Sequence, residues 1–506
     1  VLSALCAIKM EFLLKHMLCG QVIIFIVVLG IGGSFQNGFH ITVINSPSPF
    51  IQNFINESWM SRYGKPMERE SVKLIWSVLV SMYSIGGLIG SISIRCFVVK
   101  FGRKKSMIYN SILSIVTAAI MGSSRKANSF EMILVARFLY GFSAGLGLNI
   151  HLMYLGESSP KQLRGLTTMT AATFTSLGKL FGQLVGLSEL LGQEDLWHIL
   201  LCCASFISIL QLVALPFLPE APRYLLIDKG NEEMCRKALQ RLWGKRDFKV
   251  EIEEMLAEQA AINGEKPKSL SELLKDRESR WQLLTMLVVL IAIQFCGISA
   301  ICAYSFNVFY EAGISEDNIR YVTLGIGVSE VLTTITCAFL IENTGRRALL
   351  WKGFICMSLI MTLITVTLYL RETISWIPYS TVCLIFLFVI CFGGGPASVL
   401  PSLSHEIFIQ SSRPAAFVFT GILRWVGFSV LVVAFPFLID SLKHFSFLFF
   451  GSVCLGAGVY VFLFVPETKG KTVLEISEDF KKINVHRHWC TKNGNEDNEW
   501  IIATRL

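Results

Sequence analysis

Charged side chains are scarce in this chain. Asp, Glu, Lys and Arg together make up 16% of its 506 residues, whereas hydrophobic residues make up 53%. Soluble globular domains carry about 25% charged residues, so this composition excludes a soluble protein of this length. What remains is a series of long apolar runs, which predict membrane-spanning helices.

The patterns of metal sites, nucleotide loops and nucleic-acid readers are missing from the sequence as well. The 14 cysteines show no metal-ligand spacing. Gly393-Gly394-Gly395 lies in an apolar run and lacks the following Lys-Ser or Lys-Thr of a phosphate loop. No nucleophile constellation and no basic stripe with interleaved aromatic residues is present. We therefore expect no enzyme, no metal, no cofactor and no nucleic-acid partner.

Twelve apolar segments are long enough to cross a bilayer. They lie at residues 21–44, 72–94, 105–123, 131–153, 167–189, 197–218, 282–308, 321–342, 347–370, 377–404, 414–439 and 444–465. An even number of spans places both termini on the same side. Lys and Arg are in modest excess in the short loops of one side, which predicts that both termini are cytoplasmic.

Three charged motifs occur twice, at corresponding places in the two halves of the chain. They are Gly102-Arg103-Lys104 and Gly345-Arg346-Arg347, Glu157 with Arg164 and Glu406 with Arg413, and Pro219-Glu220 and Pro466-Glu467. Two like sets of spans are typical of a secondary transporter whose site lies between the halves. The sequence thus predicts an N-terminal half (1–218), a cytoplasmic helical linker (219–281), a C-terminal half (282–465) and a cytoplasmic tail (466–506).

Taken together, these motifs resemble the sugar-porter branch of the major facilitator superfamily, the facilitative hexose transporters. The resemblance covers most of the chain and includes Arg137 with Gly141, Gln294 with Gly297, and Trp425. The segments 31–36 and 153–158 are most similar to the class II members. The resemblance implies an all-α membrane protein with twelve transmembrane helices, in the major facilitator fold of two six-helix halves. It also implies facilitative transport (uniport) of a hexose, glucose or fructose, by alternating access.

Charged residues at the cytoplasmic ends of the predicted spans form a candidate gate. They are Arg103, Glu157, Arg164, Glu220, Arg223, Arg346, Arg347, Glu406 and Arg413. Paired across the two halves, they would stabilise the outward-open state, a role that the resemblance also implies. The alternative is that these charges only fix the topology. Val99 stands where the family usually has an acid, while Glu342 keeps that acid in the second copy, so the first-half clamp is expected to be looser.

A neutral sugar needs amide and hydroxyl groups and an aromatic or apolar face. The candidates at positions that match the family's pathway are Gln294, Ser299, Tyr304, Asn45, Thr175, Trp425 and Glu330. Gln294 is the strongest of them, because a buried amide must form hydrogen bonds. Ile293, Ala172 and Ser299 stand where hexose carriers usually have amides, so amide ligands have been lost.

Ionisable residues have appeared inside the spans, where charge is costly and usually faces a partner or a cavity. Besides Glu330, they are His40, His151, Lys179 and Arg424. In one interpretation Lys179 or Arg424 pairs with Glu330 and transport is unchanged. In a second, a more cationic cavity favours an anionic solute such as urate. In a third, the charges impair transport and the chain is a non-transporting solute sensor of the same fold.

The position of His40 bears on coupling. Proton-coupled relatives carry an Asp there, so the resemblance favours uniport, although a His can titrate near neutral pH.

Asn56-Glu57-Ser58 is a glycosylation sequon in the predicted first outer loop. With no retrieval signal in the sequence, it predicts the plasma membrane. We expect a monomer whose partners are a small-molecule sugar and the lipid bilayer. The chain begins at Val1 rather than Met, which leaves its true start open.

Overall fold

The computed structural model describes residues 21–160, 163–244, 247–262, 267–298, 316–370, 377–442 and 445–492, and every long regular element in these ranges is a helix. The helices are α1 (Val22–Gly32), α2 (Ser34–Thr42), α3 (Ser48–Tyr63), α4 (Arg69–Ser123), α5 (Phe130–Ser158), α6 (Arg164–Val185), α7 (Trp197–Ala214), α8 (Glu232–Trp243), α9 (Lys249–Ile262), α10 (Leu270–Lys275), α11 (Arg280–Gln294), α12 (Glu316–Thr344), α13 (Arg346–Leu370), α14 (Ile377–Gly394), α15 (Pro396–Glu406), α16 (Arg413–Leu442), α17 (Ser446–Phe464) and α18 (Val473–Lys492). The expected all-α fold is confirmed.

Nine segments of the described chain are long and apolar enough to cross a membrane. One of them, α4, has 55 residues and is two spans, because the backbone at Gly102 leaves the helical region with φ 80° and ψ −177°. Counting α4 twice gives ten spans, and the more polar α6 and the shorter α11 (15 residues) bring the number to twelve. The twelve-helix arrangement agrees with the major facilitator fold.

Two spans are broken inside the bundle, and polar side chains satisfy the backbone at each break. Between α1 and α2, Gln211 donates a hydrogen bond to the Val28 carbonyl at 3.1 Å. Between α14 and α15, Ser398 donates to the Gly393 carbonyl and the Cys337 thiol to that of Gly394. Non-helical backbone is tolerated at membrane depth only with such partners.

The two most extensive helix contacts between the halves are those of α6 with α12 and of α4 with α16. Small residues allow these helices to approach closely. A Cβ atom added at Gly87 would lie 2.3 Å from the Trp425 ring, and one at Gly421 would lie 2.6 Å from Ser91. The region enclosed by the two pairs is where the candidate site lies.

Large apolar side chains lie exposed on the outside of the bundle, as expected of a membrane protein. Phe206, Leu359 and Leu463 are 66%, 61% and 60% exposed on three different spans. Exposure on this scale would be unfavourable in water, but it suits the acyl chains of a bilayer.

Candidate functional site

The repeated Gly-Arg and Pro-Glu motifs meet in the same way in both halves. Gly102 and Gly345 adopt positive φ values of 80° and 91°, which favour glycine. Glu220 accepts hydrogen bonds from the backbone N–H groups of Arg103 and Lys104 at 3.2 and 3.0 Å. In the second half, the Glu467 carboxylate accepts from the N–H groups that follow Gly345, at 2.9 and 3.2 Å. Each carboxylate thus caps the start of a helix, where negative charge is favourable.

The end of the bundle that holds Arg103, Glu157, Arg346 and Glu406 is called the charged end here. Arg103 donates to Glu157 at 2.7 Å, and Arg346 donates to Glu406 at 3.0 Å. All four side chains are at least 95% buried. Each pair forms within its own half of the chain, whereas pairing across the halves was expected.

Contacts across the halves at the charged end are longer. Arg413 Nη1 lies 3.9 Å from Glu157 Oε1, and the Gln410 amide donates to the same carboxylate oxygen at 3.3 Å. His405 packs against Gly156, where an added Cβ would lie 2.3 Å from the imidazole. These buried contacts close the charged end between the two sets of helices.

The linker helix α9 supplies two further carboxylates. Glu254 accepts from Arg164 at 3.2 Å and from Arg223 at 2.7 Å. Glu258 pairs with Arg223 and accepts from the Gln410 backbone N–H at 2.8 Å. Burial alone would raise the pKa of Glu254, but the two arginines outweigh burial and hold it at about 2. This helix therefore contacts both halves through ionised groups.

Two of the expected gate residues, Glu220 and Arg347, form contacts other than ion pairs across the halves. Glu220 is a helix cap rather than a partner of an arginine side chain. Arg347 donates to the Phe462 carbonyl at the end of α17. Conversely, Glu254, Glu258 and Gln410 were missed by the sequence analysis. Glu254 and Glu258 carried a signal, since their spacing of four residues places both on one face of a helix.

The strongest pathway candidate, Gln294, lies at the last residue of α11. Its amide donates to the backbone carbonyl of Arg424 at 3.2 Å. Trp425, the next residue on α16, is 3% exposed, and its ring is 5.4 Å from that of Tyr83 in a T-shaped contact. Among the described residues the Trp425 indole N–H has no hydrogen-bond partner. An amide and an aromatic ring thus lie at the same level of α16, against neighbouring helices.

Tyr83 connects this region to the first half. Its hydroxyl donates to the Asn37 side-chain oxygen at 3.3 Å, and the Arg137 guanidinium lies 4.7 Å from its ring centre. His40 is buried with its ring 4.1 Å from that of Tyr140, and the Arg137 guanidinium donates to its carbonyl at 3.3 Å. No acidic side chain pairs with Arg137 among the described residues.

Lys179 and Glu330 pair across the halves, as the first of the three interpretations expected. The Lys179 ammonium lies 2.8 Å from the Glu330 carboxylate, and Ser176 donates to the same oxygen at 3.1 Å. The pair lies where α6 packs on α12. Arg424 remains outside it.

The other candidates are dispersed. The Thr175 hydroxyl donates to the Ala171 carbonyl of its own helix, and Asn45 lies exposed in a turn after α2. His151 is buried and hydrogen-bonds to Ser34 at 2.7 Å beside the break in the first span. Asn56 lies within α3 and accepts from the Met67 backbone N–H. Ser299 and Tyr304 lie outside the described residues.

Comparisons with known proteins agree with this arrangement. The family model described as "Sugar (and other) transporter" matches residues 25–480. Facilitated glucose transporter member 11 of solute carrier family 2 from Homo sapiens is 42% identical over 475 residues, which cover 94% of this chain and 96% of the relative. Member 5 from Ovis aries is 41% identical over 457 residues, covering 90% and 91%.

A solved structure shows the same fold. The proton:xylose symporter of the major facilitator superfamily bound to 6-bromo-6-deoxy-D-glucose superposes with a TM-score of 0.78 at 20% identity, covering 92% of this chain and 99% of the symporter. The relatives are transporters rather than enzymes. The chain belongs to the sugar transporter family and, within it, to the facilitated glucose transporters of solute carrier family 2.

Proposed function

We propose that the protein is a hexose uniporter that moves glucose, fructose or both by alternating access. The observation that carries the proposal is the placement of Gln294 and Trp425 at the same level of α16, Gln294 against Arg424 and Gly427 and Trp425 against Gly87 of α4. An amide can exchange its hydrogen bond for one to a sugar hydroxyl, and an indole can cover the apolar face of the ring. The names of the relatives, facilitated glucose transporters, support the same substrate class.

The charged end supplies a gate for this cycle. The contacts of Arg413 and Gln410 with Glu157 hold the two halves together there, so the substrate enters from the opposite end in this state. Opening the charged end separates Arg413 from Glu157 and Gln410 from Glu258, while Arg103–Glu157 and Arg346–Glu406 can persist. In this proposal residues 1–218 and 282–465 rock as units, with the linker 219–281 and the tail 466–506 on the charged side.

Orientation and location follow as part of the proposal. The charged end faces the cytoplasm together with both termini, and the sequon at Asn56 lies at the other end. The protein acts as a monomer in the plasma membrane.

Uniport rather than proton symport is supported by the surroundings of Arg137. Its neighbours are the Tyr83 ring and the His40 carbonyl, and no carboxylate of the described residues pairs with the guanidinium to take up a proton in its place. Uptake is therefore expected to be independent of a proton gradient.

The test is uptake of labelled glucose, fructose and urate, measured in parallel in cells expressing the wild type or Gln294→Leu at equal surface density. Saturable hexose uptake that Gln294→Leu reduces at least tenfold supports the proposal. Uptake of urate alone would instead make the protein an organic-anion carrier. No uptake of any of the three, with protein at the surface, would favour a non-transporting sensor of the same fold.

A further inference from the structure

Arg424 is a cation in the middle of a span, and its guanidinium has no polar partner among the described residues. It lies eleven residues after Arg413, the first residue of α16, which is about 16 Å along the helix at 1.5 Å per residue. A charge at that depth is costly unless an opposite charge or water meets it. Lys179 has such a partner in Glu330, but Arg424 does not.

Helix geometry directs Arg424 toward the interior. At about 100° per residue, it shares a stripe of α16 with the buried Phe417 and Gly421. Val426 and Val430, which are 42% and 48% exposed, lie on the other side of the helix. The partly exposed Arg424 side chain thus faces the space between the halves and not the lipid.

Gln294, the residue that we propose binds the sugar, lies next to Arg424. Gln294 donates to the carbonyl of Arg424 itself, and its side chain packs on Gly427, where an added Cβ would lie 3.0 Å from Gln294 Cγ. Trp425, the residue that follows Arg424, packs on Gly87. A solute that reaches the Gln294 amide therefore comes within reach of a guanidinium.

The balance of charge in the middle of the membrane is positive. Near the proposed site the described spans hold Arg137, Lys179 and Arg424 together with the carboxylate of Glu330, which pairs with Lys179. Arg137 is 2% exposed and lies over the Tyr83 ring, so it is not open to a solute. Within the described part of the chain, the accessible guanidinium of Arg424 is left without a counter-charge.

We propose that the carrier accepts a hexuronate, a hexose whose C6 is oxidised to a carboxylate, and that Arg424 binds this carboxylate. The proposal rests on the hexose function proposed above and names a further substrate class for the same site. A guanidinium binds a carboxylate through two parallel hydrogen bonds, while Gln294 binds a ring hydroxyl. A single free cation matches a monoanion and not the double charge of a sugar phosphate.

The experiment compares D-glucuronate with D-glucuronamide, which has the same shape without the charge. Both compete with labelled hexose in cells that express the wild type, Arg424→Met, Arg424→Lys or the control Lys352→Met, which removes an exposed cation outside the pathway. Labelled glucuronate uptake is measured in the same cells. We expect the wild type and Lys352→Met to prefer glucuronate over glucuronamide at least tenfold. We expect Arg424→Met to lose this preference and Arg424→Lys to keep part of it.

A binding readout separates this proposal from the hexose function. Purified wild type should be stabilised against heat more by glucuronate than by glucuronamide, and Arg424→Met should abolish the difference. Hexose uptake with equal competition by the two compounds in the wild type would overturn the hexuronate proposal and leave the hexose function intact. Urate uptake that depends on Arg424, without glucuronate uptake, would overturn it too. No hexose uptake together with selective stabilisation by glucuronate would overturn only the hexose function.

Discussion

Glu157 is the single residue that most directly joins the two halves at the charged end. One of its oxygens accepts from Arg103 at 2.7 Å, from Gln410 at 3.3 Å and faces Arg413 at 3.9 Å. The side chain is fully buried, so its charge is compensated by neighbouring protein groups rather than by water. In a low-dielectric interior such a carboxylate holds the neighbouring guanidinium groups of Arg103 and Arg413 in place.

Replacing this carboxylate should destabilise the closed charged end. In Glu157→Gln the shape is kept, but Arg103 and Arg413 lose one of the carboxylates that face them, and breaking a buried pair costs about 3–5 kcal/mol. We expect a lower melting temperature in detergent and faster labelling of a cysteine placed at Ser412, which is 2% exposed. The matched control is Glu131→Gln, which breaks the exposed Arg62–Glu131 pair. Equal melting temperatures for Glu157→Gln and the control would contradict this role.

At the scale of elements, the ion pair between α6 and α12 reports how these helices are held together. The Lys179 and Glu330 side chains are 25% and 11% exposed, so water has limited access to the pair. Lys179→Ile should lower the melting temperature by removing the cation that faces the Glu330 carboxylate, and Glu330→Leu should do so by removing the carboxylate that faces the ammonium. The double variant should recover most of the loss, with a coupling energy of about 0.5–3 kcal/mol. Additive losses would show that the pair is not coupled.

The linker helix α9 should respond to pH in a definite direction. The folded-state pKa of Glu254 is about 2, below the ordinary value of about 4.3 for an unpaired Glu. Its pairing with Arg164 and Arg223 therefore contributes its full stability above about pH 5 and loses it as the pH falls toward 2. We expect the difference in melting temperature between the wild type and Glu254→Gln to be constant from pH 8 to 5 and to shrink below. A difference that changes between pH 8 and 6 would contradict this assignment.

The elements also show what the sequence could and could not predict. Apolar length predicts the spans, and the break that the structure places between Gly394 and Pro396 falls on glycine and proline, the residues least compatible with a continuous helix. The repeat of the charged motifs predicts which residues share the charged end. It does not identify their partners, because that depends on packing: Arg103 reaches Glu157 in its own half before any group of the other half. The sequence analysis did not place Glu254 and Glu258 at the charged end, because only the docking of α9 brings them to the bundle.

The central site was predicted in part for a similar reason. Gln294 and Trp425 match the family's pathway, and the structure places Gln294 against Arg424, the residue before Trp425 on α16. Tyr83 was missed because a tyrosine in an apolar span has no pattern that separates a packing role from a binding role. The pairing of Lys179 with Glu330, rather than Arg424 with Glu330, could be foreseen only as one of two options, since it depends on the register of α6 against α12.

At the scale of the whole molecule, closure of the charged end must alternate with closure of the opposite end if the protein is a carrier. Gly156 and His405 face each other across the halves. A cysteine at Gly156 alone meets the imidazole, but the double variant Gly156→Cys/His405→Cys removes that clash. We expect oxidation of the double variant to abolish uptake and a reductant to restore it, with His405→Cys alone insensitive to both. Undiminished uptake by the fully cross-linked protein would exclude rocking of the halves at this point.

The pairing order of the buried arginines has a consequence for biosynthesis. Arg103, Arg164 and Arg223 find their carboxylates in Glu157, Asp228, Glu254 and Glu258, all of which precede residue 263. A ribosome that has released α9 has thus already provided a counter-charge for each of these three cations. Of the later arginines at this end, Arg346 pairs with Glu406 in its own half, and Arg413 reaches back to Glu157. The first half can therefore mature while the second is still being translated, and Arg413 joins the two only after the tenth span has been inserted.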